Sequence, residues 1–412
     1  MVGLKESDGS GKALDNEIGT STYTFDYVRL KLLKNSEEFR QLNQKNKISE
    51  ASYKIIGAGD GIVSSLYKVT FAFDDDAQFS VVLKVPTNAV INFEDTNVPH
   101  ECECKLFDLI KDLKDLPVPT CYYTELGGEK HPGCIIMQDL SESCTGISIK
   151  RYVTEELCFE IAKVLAKFQA SIGTLDEKKW KGVFKNDLFA REFYGRCYQT
   201  YLGDTAVKCG LKADLMKKCM CLTNSDFSKF ATKGIAEKHD VVTLCHGDVH
   251  SNNILFYKNE DNSVSNRIAA LIDWQAVFDG NPLSDLARFM VCCPQGNVRR
   301  ACEARVLATY YETVCDEFTK KGFRIPFSSE LCQTLYEYAF LQQVPSAMIH
   351  PQLLYDVELE GVEEKVKSAT RDILSLKANH AMEDALPLIK KYDLERKYQV
   401  DKASKSLDST SA

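Results

Sequence analysis

What this chain lacks narrows its class before any motif is read. Across 412 residues no apolar run approaches the roughly 20 residues of a membrane-spanning helix, so no membrane span is expected. Residues 1–20 are polar and lack the apolar stretch that a secretory signal needs. They are expected to be disordered, as is the Ser-, Lys- and Asp-rich tail over 401–412. There is no excess of positive charge. The net charge is −8 and the pI about 5.6, the reverse of the basic balance that marks a nucleic-acid binder, so no nucleic-acid partner is expected. None of the sixteen cysteines forms a CxxC pair, which leaves a zinc ribbon without support. They read instead as small buried apolar residues of a reduced, cytoplasmic protein. No internal repeat is present, and oligomeric state is not legible.

What is present suits a soluble chain of one or two domains. Hydrophobic residues make up 44% and charged residues 27%, enough for a real core under an ordinary surface. Two regimes follow one another. Residues 22–140 are strand-rich: 53–56, 65–73 and 79–85 carry strand patterns. A helical pattern over 100–113 comes next, then strands over 120–124 and 133–137. This order predicts an antiparallel five-stranded sheet with one helix. Residues 141–399 are mainly helical. Thr154 is placed to cap a first helix, and further helices are expected over about 213–232, 298–321, 329–345, 353–376 and 378–392. Set among them are short strands at 241–245, 254–256 and 268–272. The class is therefore α+β.

The most telling stretch is His246-Gly247-Asp248-Val249-His250-Ser251-Asn252-Asn253, followed by Leu271-Ile272-Asp273-Trp274. Phosphoryl transfer from ATP needs one carboxylate to accept the acceptor's hydroxyl proton. It also needs oxygen ligands to hold magnesium against the phosphates. Asp248 fits the first role; Asn253 and Asp273 fit the second. The strands flanking the polar turn 259–262 would bring Asn253 and Asp273 together. His246 is expected to orient the loop by hydrogen bonds, and His250 to pack or hydrogen-bond beside it. Zinc held by the two histidines is disfavoured, because HExxH sites carry a glutamate after the first His and lie on a helix. Gly280-Asn281-Pro282 precedes a helix containing Asp285 and Arg288, with Asp285 read as a brace for the loop.

Upstream features fit a nucleotide. Gly57, Gly59 and Gly61 lie between two strands, where backbone amides could approach phosphates without a Cβ in the way; a plain hairpin turn is the alternative. The stretch is neither a Walker A loop nor a dinucleotide fingerprint, since no Gly-Lys-Ser/Thr follows and the next element is a strand. Lys84 closes an apolar strand and needs an anion: phosphate, with either Glu101 or Glu103 as its protein partner. Met137 and Gln138 end the sheet where a backbone could read an adenine edge, or could simply connect.

These residues resemble the choline kinase-like and aminoglycoside phosphotransferase-like small-molecule kinases, most closely the branch called CHK kinase-like or ecdysteroid kinase-like. The resemblance rests on HGDVHSNNILF (246–256), LIDWQAVFDGNPLSDLARF (271–289), IIMQDL (135–140) and VVLKV (81–85). It covers roughly residues 35–395. It implies a protein kinase-like, two-lobed fold with ATP in the cleft and a small hydroxylated molecule as acceptor. In that family a glutamate stands four residues before an aromatic, which selects Glu103, ahead of Phe107, as the partner of Lys84. Trp274-Gln275 stands where protein kinases carry Phe-Gly, as is usual in small-molecule kinases. A protein acceptor is disfavoured independently. Only about eight residues separate Asp273 from the next helix, no APE motif follows, and a peptide platform needs a longer segment. The contrasting expectation is a catalytically inactive kinase-fold protein that binds a ligand.

Overall fold

The structure, a computed structural model, describes residues 9–11, 14–56, 64–87, 97–128, 131–148, 152–184, 195, 197–198, 200–358 and 362–398. It divides into two compact units. The first comprises residues 1–112 and 118–143, the second 113–117 and 144–412.

The first unit is built on a six-stranded antiparallel sheet. Its strands are β1 (Gly9–Gly11), β2 (Ile48–Ile56), β3 (Ser64–Phe73), β4 (Gln78–Pro86), β5 (Cys121–Glu125) and β6 (Cys134–Gln138), in the order β1-β2-β3-β4-β6-β5. Five of these are the expected strands; β1 is an added edge. β3 alternates buried and half-buried residues along much of its length, the signature of a strand with one face on the core. Two helices that the strand-rich pattern does not foresee lie between β1 and β2: α1 (Phe25–Asn35) and α2 (Glu37–Lys45). Thr24 caps the first by accepting the Tyr27 N–H, and Ser36 caps the second by accepting the Phe39 N–H. Phe39 then sits among Phe71, Phe73 and Phe79, with ring centroids 5.2–6.1 Å away. The expected disorder over 1–20 is corrected in part. Ile18 is fully buried in this core, and its N–H donates to Tyr23 O at 2.8 Å. The remaining helix of the unit is α3 (Asn97–Ile110).

The second unit is mainly helical. α4 (Glu155–Ile172) starts at Thr154, whose side chain accepts the Leu157 N–H as expected. Short helical turns between 204 and 238 replace the single helix expected there. Then come α5 (Ser284–Cys292), α6 (Gly296–Lys320), α7 (Ser329–Glu358) and α8 (Glu364–Tyr392). Two boundaries differ from the expected ones. α7 runs through Pro345 and Pro351, and α8 is one helix instead of parts of two. Proline usually ends a helix, but Val344, Ala347, Met348 and Ile349 are buried here, so packing outweighs the lost backbone bonds.

Two small antiparallel sheets lie in this unit. One joins β7 (Cys144–Gly146), β9 (Ile254–Lys258) and β10 (Val264–Leu271) in the order β10-β9-β7; the other pairs β8 (Thr243–Cys245) with β11 (Phe278–Gly280). The chain thus has the α+β element order of a protein kinase-like fold: a β-rich first unit, then a helical unit containing a β hairpin. No helix among the described residues is long and apolar enough to cross a membrane. Of the sixteen cysteines all but Cys121 and Cys315 are buried. Burial pushes the Cys134 and Cys219 thiols up to about 12, which suits inert packing residues.

Phe39→Ala should lower the stability of the first unit by about 3–5 kcal/mol, the usual cost of emptying a buried phenylalanine site. Urea unfolding followed by fluorescence measures it. A midpoint equal to that of the unaltered protein would contradict this core.

Candidate active site

In the second unit the site is assembled by hydrogen bonds that converge on one loop. β8 delivers His246 at its end. The backbone N–H groups of His246 and Gly247 both donate to the Asp285 carboxylate, at 2.7 and 2.9 Å. Gly247 has φ +87°, and a Cβ there would lie 2.2 Å from Ala276 O. Glycine is required both for the backbone conformation and for the close approach. The His246 ring uses both nitrogens. Nδ1 accepts the Asp248 N–H at 3.3 Å, so Nε2 carries the proton and donates to Ile272 O at 2.9 Å. Neither nitrogen is left to bind zinc. The ring lies against buried Trp274, with centroids 4.4 Å apart, and the Trp274 indole N–H donates to Leu271 O at 2.9 Å.

The hairpin explains how residues twenty apart in sequence meet. Ile254 of β9 pairs with Leu271 of β10. One step further, the Ile272 N–H donates to Asn253 O at 2.9 Å, which sets Asp273 next to Asn253. Asn253 is 8% exposed, and its Nδ2 donates to Asp248 O at 3.0 Å. Asp273 has φ +65° and ψ 62°, a left-handed conformation rare for a residue with a Cβ and frequent at functional sites.

Asp248 itself is half-buried. Arg288 Nη2 donates to its Oδ1 at 2.9 Å, and His250 Nε2 lies 3.4 Å from its Oδ2. His250 Nδ1 accepts the Asn252 N–H at 3.3 Å, so Nε2 is the protonated nitrogen. Burial alone would raise the Asp248 carboxyl. The His250 Nε2–H beside Oδ2 and the Arg288 guanidinium on Oδ1 outweigh it and hold the group far below the usual carboxylate range. Asp285 goes the other way: burial raises it, against the pull of His246 and the two backbone donors. Asp248 on the loop and Asp285 on α5 are therefore shifted in opposite directions.

Asn253 and Asp273 each carry side-chain oxygen, the donor type of which magnesium takes one or two from protein while phosphate and water complete its shell. Among the described residues no group of three or more His, Cys, Asp or Glu side chains could hold a metal. A cage made wholly of those side chains is thus not offered by them.

In the first unit, Lys84 Nζ lies 2.6 Å from Glu103 Oε2, and both side chains are buried. Glu101 is half-buried and pairs with Lys105 at 2.5 Å. Met137 and Gln138 lie in β6, paired with β4 on one side. The Gln138 N–H donates to Thr120 O at 2.8 Å, so that donor is not available to a base. Gly57, Gly59 and Gly61 lie outside the described residues; the strands before and after them are antiparallel. Arg288 was missed as a site residue by sequence reasoning. Its three-residue spacing from Asp285 on one helix face was the available signal.

The sequence model of the DUF1679 family, described as uncharacterized oxidoreductase dhs-27, matches residues 61–393. The chain belongs to the DUF1679 family. In Caenorhabditis elegans it is similar to the uncharacterized oxidoreductase dhs-27, 22% identical over 326 residues, or 70% of this chain and 38% of that protein. The chain therefore spans well under half the length of that relative. It is also similar to the uncharacterized kinase-like protein D1044.1 of the same organism, 25% identical over 262 residues, or 61% of this chain and 67% of that one. The solved structure of a candidate aminoglycoside phosphotransferase from Ralstonia eutropha overlaps it with a TM-score of 0.48 at 14% identity. That overlap covers 86% of this chain and 97% of the other.

Asp285→Asn replaces one of two acceptor oxygens by a donor, leaving a loop N–H without its partner. The expected cost is about 1–3 kcal/mol, with faster hydrogen exchange at the His246 and Gly247 amides. Unchanged exchange at both amides would remove Asp285 from its bracing role.

Proposed function

We propose that the chain is an ATP-dependent phosphotransferase of the choline kinase-like class, acting on the hydroxyl of a small molecule. The observation that carries this reading is the hairpin register. Through it the N–H of Ile272, one residue before Asp273, donates to Asn253 O, while Asn253 Nδ2 donates to Asp248 O. In this reading Asp248 accepts the acceptor's hydroxyl proton and orients the oxygen for attack. Asn253 and Asp273 would hold magnesium, which supplies charge neutralisation at the phosphates when bound. His246 and Asp285 fix the loop. In the first unit Lys84, steadied by Glu103, would bind α- and β-phosphate oxygens. Gly57, Gly59 and Gly61 would cover the phosphates, and Met137 with Gln138 would lie beside the base.

The name of the first relative invites a second reading, hydride transfer with a dinucleotide. Most of that protein lies outside the alignment. A dinucleotide fingerprint opens a helix after a strand of a parallel sheet. Here the glycines at 57–61 lie between two antiparallel strands, and every strand pair among the described residues is antiparallel. Phosphoryl transfer is favoured on that ground.

The test is ADP release by the purified protein with ATP, Mg²⁺ and a panel of hydroxylated metabolites. Acceptor-dependent ADP release is expected. Asp248→Asn should lower it by about 10²–10⁴, the usual share of a positioned base, while nucleotide binding persists. ATP binding without turnover on any acceptor would favour a catalytically inactive ligand-binding protein. Equal turnover in Asp248→Asn would refute the assignment of the base.

A further inference from the structure

One face of α5 acts on the catalytic loop at two points. Asp285 accepts the His246 and Gly247 N–H groups and so sets the backbone. Arg288, one turn along, reaches the Asp248 side chain instead, with Nη2 2.9 Å from Oδ1. Arg288 is 6% exposed. It is itself anchored from α7: Nη1 donates to Gln343 Oε1 at 3.3 Å and to Ser346 Oγ. Gln343 and Ser346 stand three apart on that helix, both buried. Burying a guanidinium is costly unless its geometry is well satisfied, and the backbone of the loop is already held by Asp285.

We propose that Arg288 is a positioning residue that occupies Oδ1 of Asp248 and leaves Oδ2 as the oxygen that meets the acceptor hydroxyl. This rests on the phosphotransferase reading. The contacts of Oδ2 are the longer ones: His250 Nε2 at 3.4 Å and Asn253 Nδ2 at 3.5 Å. Both are outside or at the limit of strong hydrogen-bond distance, so a hydroxyl donor can take the remaining lone pair. With Nη1 held by Gln343 and Ser346, the planar guanidinium presents Nη2 to Oδ1 in a fixed direction, which a lysine cannot do. The acceptor accordingly approaches Asp248 on the side bounded by His250.

Two measurements test this together. In steady-state kinetics Arg288→Gln should lower kcat by about 10–100-fold, the scale of misplacing a reacting group by about an ångström, with the KM for ATP unchanged. Arg288→Lys should recover only part of the loss. Crystal structures of the unaltered protein and of Arg288→Gln should show the Asp248 carboxylate rotated out of its original rotamer. Arg288→Gln with the original kcat, or with Asp248 unmoved, overturns the proposal. If Arg288→Gln does not fold, Ser346→Ala removes one anchor. A fall in kcat at unchanged ATP KM then supports the proposal, and an unchanged kcat overturns it. If the unaltered protein turns over no acceptor, the phosphotransferase reading fails separately, and the crystallographic comparison still decides whether Arg288 sets Asp248.

Discussion

Two hydrogen bonds to the buried carboxylate of Asp285 fix the backbone on which Asp248 depends. A loop that leaves a strand and must present a charged side chain cannot rely on its own turn chemistry for that precision. Here the first two N–H groups after β8 are bound from outside, by a residue on α5. The glycine at 247 lets the chain pass Ala276 O at a distance no side chain would allow. His246 then closes the arrangement. One ring nitrogen takes the Asp248 N–H and the other reaches Ile272 O, beside Asp273. The Asp248 loop and the segment bearing Asp273 are thereby tied through a single imidazole.

The buried framework behind the loop is polar where it must be and apolar elsewhere. Asn281 is fully buried, yet its Nδ2 donates to Ala231 O and Leu335 O and its Oδ1 accepts the Leu283 N–H. It thus seats the start of α5, and so the height of Asp285 and Arg288. Gln169 of α4 donates to Pro282 O at 2.7 Å, and Phe168 packs on Trp274 with centroids 4.8 Å apart. α4 therefore steadies both the entry to α5 and the wedge beneath His246. Groups so placed are costly to bury and are fully engaged, the condition under which a buried network specifies one arrangement.

Much of this was legible because it is local. Strands 65–73 and 79–85 alternate in the period of a half-buried sheet, and Thr154 stands directly before an amphipathic helix. The hairpin between Asn253 and Asp273 follows from two apolar runs around a polar turn. α1 was equally legible, since Phe25, Val28 and Leu32 repeat on one helical face, but the strand-rich stretches after it drew the reading. The short strands β7 and β11 were not legible. Three residues carry no period, and their pairing depends on partners far along the chain. The role of Arg288 was hidden for the same reason. Its anchors Gln343 and Ser346 lie 55 and 58 residues away, and no spacing rule connects them. The proline-bearing α7 shows the converse, a local signal for a break overridden by burial.

The segment after Asp273 bears on what kind of acceptor the site suits. Trp274–Ala276 form a single helical turn, and Phe278–Gly280 form β11, paired to the strand that delivers His246. Every residue from Val277 to Leu283 is buried. In a protein kinase the corresponding stretch is long and presents a platform for a peptide. Here it is consumed as structure: it completes a two-stranded sheet and leads into α5. Lengthening it to admit a peptide would pull β11 from β8, the strand on which the Asp248 loop is mounted. A small acceptor imposes no such demand.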